Sequence, residues 1–207
     1  MTLDLSAVIL AGGQSRRLGM NKTTLRIGGK TLLAHVVERL APWFYEVIVV
    51  TNTPDVHAHP LARIVTDVYP GKGVLGGVYS GLAAATRPYC AAVAADMPFL
   101  KPALLAHLAS LASGYDVVVP VVDGLFEPLH AIYSVACLAP MQHLLLAEGT
   151  SRIIAVFDQV RVRQVDSRDL VAFDAQLLSF ININTPGDFE RARALLRLQG
   201  LDFDDPG

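Results

Sequence analysis

The chain has 207 residues, 52% of them hydrophobic and 17% charged, with a net charge of -2 and a mean hydropathy of +0.41. That length suits one domain able to bury roughly 70% of its unfolded surface, and it excludes a peptide hormone or a repeat array. The near-neutral charge has no field to collect a nucleic-acid backbone, and no apolar run approaches the ~20 residues of a membrane-spanning helix. Neither nucleic acid nor a membrane is expected as a partner. Cys90 and Cys137 lie in apolar sequence without metal-type spacing and read as buried small hydrophobes in a reducing compartment. The first residues lack the basic start and long apolar core of a signal peptide. A cytoplasmic protein is expected.

Strand-type and helix-type runs alternate from end to end, the pattern of a parallel or mixed sheet with helices on both faces. Ala7-Val-Ile-Leu10 reads as the first strand, followed by a glycine-rich loop. Leu32, Leu33, Val36, Val37 and Leu40 repeat with helical spacing, and Pro42 closes that helix. Glu46–Val50 and Arg63–Val65 are strands. The loop Tyr69–Gly77 then precedes a helix over Gly77–Ala85, and Tyr89–Ala95, small and uncharged throughout, reads as a central strand. The aromatic run Trp43-Phe-Tyr45 is expected in the core.

In the second half, a helix is predicted over Pro102–Leu111, strands over Asp116–Val122 and Leu129–Tyr133, and a helix over Val135–Ala147. A short helix and an alternating strand, Val160–Val165, follow. Phe180–Ile183 reads as a last strand. It leads into a helix with Thr185 as N-cap, Pro186 at its first position and Asp188 three residues after the cap. Residues 1–200 are expected to form one domain, with 1–100 serving a nucleotide and 101–200 an acceptor, and the acidic residues 201–207 are expected to fray.

The charges are segregated. No acid occurs between Asp4 and Glu38, while Arg16, Arg17, Lys22, Arg26 and Lys30 lie in that stretch; a second acid-free stretch, Val68–Ala95, holds Lys72 and Arg87 and ends at Asp96. Two cationic loops facing a carboxylate suit a phosphate-rich ligand carried with a divalent metal. In open α/β sheets ligands sit beyond the carboxyl ends of the strands, where Gly12-Gly13 and Asp96 both fall. The same residues also fit a tight turn, a solvated basic face and a carboxylate capping a turn.

The stretch Leu10-Ala-Gly-Gly-Gln-Ser-Arg-Arg-Leu-Gly-Met-Asn-Lys22 resembles the LAGGxSxRMGxDK signature of nucleotidyltransferases with a Rossmann-like fold. Four further pieces are similar to the molybdenum cofactor guanylyltransferases: Tyr69-Pro-Gly71 with Leu75-Gly-Gly77, Ala95-Asp-Met-Pro-Phe99, Glu127-Pro-Leu-His-Ala131 and Asn182-Ile-Asn-Thr-Pro186. The resemblance implies a three-layer α/β fold with a mostly parallel central sheet. It implies that Leu10, Ala11, Gly12 and Gly13 hold GTP through backbone groups, that Lys22 contacts its phosphates and that Arg17 is the signature arginine. Asp67 would bind the nucleotide, Asp96 a magnesium ion, and Asn182 and Asn184 would lie near molybdopterin. Two positions depart from the pattern: Asn21 replaces the signature Asp, and Thr51 stands where some members carry an Asn that helps hold the base.

The implied reaction joins GMP from GTP to the terminal phosphate of molybdopterin and releases pyrophosphate. It needs no general base, because a phosphomonoester is already an oxyanion at neutral pH. A cytidylyltransferase acting on molybdopterin or another phosphorylated acceptor, and a non-catalytic carrier of nucleotide or cofactor, remain open. So does the role of Asp67, which could read guanine N1–H and N2–H₂ or bind ribose hydroxyls. Molybdoenzyme apoproteins and cofactor-biosynthesis proteins would be the protein partners. His57 and His59 read as a surface loop, and His130 either as a satisfied strand histidine or as a neighbour of the acceptor.

Overall fold

The computed structural model describes residues 2–12, 25–147 and 152–204. The first half of the chain contains β1 (Leu3–Leu10), the small hairpin β2 (Arg26–Ile27) and β3 (Lys30–Thr31), α1 (Leu32–Leu40), β4 (Phe44–Val50), α2 (Pro54–His57), β5 (Arg63–Val65), α3 (Gly73–Ala84) and β6 (Tyr89–Ala94). The second half contains α4 (Pro102–Ser110), β7 (Val117–Val122), β8 (Leu125–Phe126), β9 (His130–Ser134), α5 (Leu138–Leu146), β10 (Val162–Asp166), α6 (Ser167–Leu170) and α7 (Pro186–Leu198).

The main sheet runs β10-β7-β9-β6-β1-β4-β5, with β8 folded back on β7. β1 pairs in parallel with both β4 and β6, whereas β9 is antiparallel to β6 and β7. Apart from β9 and β8, every strand of this sheet therefore ends at one common edge. Side chains alternate across the sheet, so Ala7 and Ile9 of β1 face α1 and α4 while Val8 faces α3. Buried leucines and valines of α1 and α4 cover one face, and α3 and α5 cover the other, which gives the expected three layers.

A third apolar cluster joins Leu25, Ile27, Phe99, Ile181, Ile183, Leu196 and Phe203, and it fastens the β2–β3 hairpin and α7 beside the sheet. Here the structure corrects the expected frayed tail for residues 202–204. Phe203 is buried against Phe189 and bridges Ile27, Asp202 pairs with Arg193 and Arg197, and the Gly29 N–H donates to Asp204. Residues 205–207 lie outside the described residues.

Three other expectations change. Helix α3 starts at Gly73 rather than Gly77, so the presumed loop is half helix. Two of its glycines are points of contact with β1: a Cβ at Gly81 would collide with Val8, and one at Gly77 would lie 3.1 Å from Leu10. The run Phe180–Ile183 is not a strand. Leu178–Phe180 forms a 3-10 turn, and Ile181 and Ile183 enter the third cluster on irregular backbone, which satisfies the same apolar alternation without a sheet partner. Of the aromatic trio only Phe44 is core; Trp43 and Tyr45 are exposed, and Tyr45 carries the Arg87 guanidinium 3.3 Å above its ring. The start of α7 is as expected, with a reciprocal capping box between Thr185 and Asp188.

Candidate active site

The common strand edge gathers the site. Leu10 is level with Ala94 and Val50 in the neighbouring strands. Past these pairs the backbones remain joined: Ala11 N–H donates to Val50 O (3.0 Å) and Ala95 N–H to Leu10 O (3.1 Å). Gly12 and Asp96 therefore leave adjacent strands side by side, at the ~4.8 Å spacing of a sheet. Among the described residues nothing lies within 4 Å of where a Gly12 Cβ would sit, so a ligand can approach its backbone. Gly13, Arg16, Arg17, Asn21 and Lys22 lie outside the described residues.

Asp96 is half-buried, and its carbonyl accepts from Ile183 N–H at 3.3 Å. That bond brings Asn182 and Asn184, the residues on either side of Ile183, to the Asp96 strand end. Asn182 Nδ2 donates to Phe180 O at 3.2 Å, and Asn184 N–H donates to the Asp188 carboxylate at 3.0 Å. Asp96 and Ile183, 87 positions apart, thus meet because an irregular segment docks on a strand terminus.

Asp67 lies two residues past β5, on the other side of Gly12. Its Oδ1 accepts from Tyr69 N–H (3.0 Å) and lies 2.8 Å from the Ser80 hydroxyl, while its own N–H donates to Asn52 Oδ1 (3.3 Å). Gly76 makes this turn possible, since a Cβ there would come within 2.9 Å of Tyr69 O and 3.3 Å of Asp67 Oδ1. Helix α3 begins at this edge with Lys72 before it and no acid in its first turn, an orientation that favours anions.

Not every expected cation reaches the edge. Arg87 precedes β6 and pairs with Asp4 at the start of β1, so it lies at the opposite end of the sheet from Asp96. Lys30 pairs with Glu38, and Arg26 donates to Gly29 O within the small hairpin. Of the two cationic stretches, Lys72 alone among these described residues stands beside the ligand edge.

Three groups at this edge escaped the sequence reading as site residues. Asn52, exposed just past β4, supplies the amide that Asp67 meets, while its neighbour Thr51 is buried with its hydroxyl 2.7 Å from His57 Nδ1. An Asn two residues past a strand end was the available signal. Ser80 is buried beneath Asp67, and its only trace was a hydroxyl in a glycine-rich helix. Glu127 is half-buried between β7 and β9, its N–H donating to Pro120 O, and burial pushes its carboxyl above the usual range. His57 belongs to the short helix α2 rather than to an open loop, and burial holds its ring below the usual histidine range. The described residues contain no group of three or more His, Cys, Asp or Glu side chains that could hold a metal ion.

A glycine and a carboxylate on adjacent strand ends suit phosphate-bearing ligands in general, and comparison with known proteins narrows the choice. Residues 7–165 match the MobA-like NTP transferase domain. The chain belongs to that family. It is a nucleotidyltransferase by membership, and the relatives agree along nearly its whole length. A probable molybdenum cofactor guanylyltransferase of Natranaerobius thermophilus is 36% identical, the match covering 95% of this chain and 98% of the relative. The molybdenum cofactor guanylyltransferase of Desulfosudis oleivorans is 35% identical, with 93% and 96% covered. The crystal structure of molybdopterin-guanine dinucleotide biosynthesis protein A from Archaeoglobus fulgidus superposes with a TM-score of 0.83 at 30% identity, covering 94% of this chain and all of that one. This transferase therefore shares with them the α/β fold in which the edge just described is formed.

Proposed function

We propose that the protein transfers GMP from GTP to the terminal phosphate of molybdopterin, releasing pyrophosphate and forming the guanine dinucleotide cofactor. The observation that carries this reading is the junction of Gly12, Asp96 and the segment of Asn182 and Asn184 through backbone bonds at one sheet edge. It gives a nucleotide and an acceptor a common meeting point, as an in-line transfer requires. The names of the relatives support guanine and molybdopterin as the two halves of the product.

Chemically, an acceptor phosphate oxygen forms a bond to the α-phosphorus of GTP as the bond from that phosphorus to the β-phosphate bridging oxygen breaks. The nucleophile is already ionised, so the residues need only bring two anions together and stabilise the leaving pyrophosphate. Lys72 and the start of α3, with Arg17 and Lys22, are the groups assigned to that charge. Mg2+ binds through one or two carboxylates together with phosphate oxygens and water, so Asp96 fits it although the described residues hold no group of three or more metal-ligating side chains. When bound, the ion supplies charge neutralisation at the phosphates.

Asp67 is assigned to ribose. Its Oδ1 is filled by Tyr69 and Ser80, which leaves Oδ2 to a ligand; the two-donor edge of guanine would need both oxygens. The cytoplasm is the assigned compartment, in keeping with two buried free thiols and with the finding that no described helix is long and apolar enough to cross a membrane. Enzymes of molybdenum cofactor synthesis and molybdoenzyme apoproteins are the proposed protein partners. The test is incubation with molybdopterin, Mg2+ and each nucleoside triphosphate. GMP incorporation with equimolar pyrophosphate is expected, and Asp96→Ala loses both while still binding nucleotide. Incorporation of CMP from CTP without GMP from GTP overturns the assignment.

A further inference from the structure

Asp174 is an acidic side chain with no exposed surface, on the irregular segment after α6, and is assigned to no substrate. A carboxylate in such a place is costly unless it is paired and hydrogen-bonded. Its Oδ1 accepts from Lys101 Nζ at 2.9 Å and its Oδ2 from Ser179 N–H at 2.7 Å. The Ser179 hydroxyl in turn accepts from Lys101 N–H at 3.1 Å. Burial alone would raise the Asp174 carboxyl, but the bonds from Lys101 and Ser179 outweigh it and hold the group ionised, below its usual range.

These bonds close a ring between two stretches of chain. One is residues 96–101, which begin at Asp96 and end at the start of α4; the other is residues 178–184, which carry Asn182 and Asn184. The second stretch has no strand partner to set its register. Ile183 N–H to Asp96 O is its backbone bond to the first stretch, and at 3.3 Å it is a long one. The residue before the turn, Leu177, has φ 52°, a left-handed conformation that a leucine adopts only when its surroundings enforce it.

We propose that Asp174 is a positioning residue which, through Lys101 and Ser179, sets the distance between the Asp96 strand end and the acceptor-side asparagines. The inference rests on the reading of Asn182 and Asn184 as acceptor-side residues. It goes beyond that reading because Asp174 and Lys101 are assigned to neither substrate. A strut of this kind predicts a specific failure. Without it the segment moves relative to Asp96, so acceptor binding weakens, while Gly12, Asn52 and Asp67, on the far side of Asp96, keep their hold on nucleotide.

The experiment compares Asp174→Asn, Lys101→Met, Lys101→Arg and Ser179→Ala with wild type. Acceptor KM, nucleotide affinity and amide hydrogen exchange at residues 179–184 are measured well below the unfolding temperature. Loss of the charge-assisted bond to this buried carboxylate gives an expected rise of about tenfold in acceptor KM for Asp174→Asn and Lys101→Met, with nucleotide affinity unchanged. Lys101→Arg restores most of it. Exchange at residues 179–184 accelerates in the two damaging variants while that of β1 and β6 does not. Should Asp174→Asn fail to fold, Ser179→Ala, which keeps the ion pair and removes one bond of the ring, carries the test with a smaller rise in KM and the same exchange pattern. Unchanged acceptor KM, or nucleotide and acceptor affinities falling together, overturns the proposal. The exchange readout needs no substrate, so a wild-type protein inactive with molybdopterin would refute the function without masking the strut.

Discussion

His130 is completely buried, neither of its ring nitrogens has a hydrogen-bond partner among the described residues, and its ring lies 4.9 Å from that of Phe180. Burial lowers its pKa to about 3, and the opposing pull of the Asp174 charge is smaller. The unfolded chain binds this proton near pH 6.5 and the folded chain does not, so stability is complete above pH 6.5 and is lost as pH falls toward 3. Linkage gives a loss of about 1.4 kcal/mol between pH 7.5 and 5.5 from this one residue, a large part of a 5–15 kcal/mol total. His130→Leu removes the titrating group and both unpaired nitrogens at nearly constant volume. The variant should match or exceed wild type at pH 7.5, since an unpaired buried polar atom costs about 1–3 kcal/mol. The decisive quantity is the difference between variant and wild type in the stability lost from pH 7.5 to 5.5, measured by urea unfolding, in which the other five histidines cancel. Equal losses in the two proteins would show that His130 accepts its proton in the folded state and would refute the argument.

Helix contacts and caps give further tests. Gly81→Ala places a methyl group against Val8 and within 3.2 Å of Val50, and overpacking of this kind should lower stability by about 1–3 kcal/mol, read as a fall of several degrees in Tm. Thr185→Ala removes the N-cap of α7 and should cost about 1 kcal/mol in urea unfolding, with a smaller loss for Thr185→Ser. Asp67→Asn keeps an oxygen for Tyr69 and Ser80 but loses its charge; Tm should stay near that of wild type while nucleotide affinity falls roughly fivefold to tenfold, measured by titration calorimetry. Unchanged affinity would remove Asp67 from the site.

Much of the fold was legible because local patterns carry it. The apolar runs of β1, β4 and β6 could only be buried strands, the spacing from Leu32 to Leu40 could only be an amphipathic helix, and Thr185-Pro-Gly-Asp188 announced a helix start. Glycines were ambiguous. Gly76 read as a loop residue and Gly77 as the junction of loop and helix, whereas both lie within α3; Gly77 and Gly81 let that helix lie close against β1, a need that appears only when helix and strand are placed together. The hairpin β2–β3 has two residues per strand, too few for any periodicity. At the site, Gly12 and Asp96 were readable from their places after apolar strands. Asn52 and Ser80 were not, because their roles arise from bonds to Asp67, 15 and 13 residues away.

From sequence alone came the layer architecture, the strands that lead into Gly12 and Asp96, and the family resemblance, since each depends on residues close together in the chain. Tertiary structure decided which charges share an edge. Arg87 was removed to the far end of the sheet by strand direction, and residues 202–204 were drawn from a supposed tail into an apolar cluster by Phe203. It also set the Lys101–Asp174 ion pair, which joins positions 73 residues apart. A buried carboxylate gains its meaning from the partner that neutralises it, and no local pattern in the chain specifies that partner.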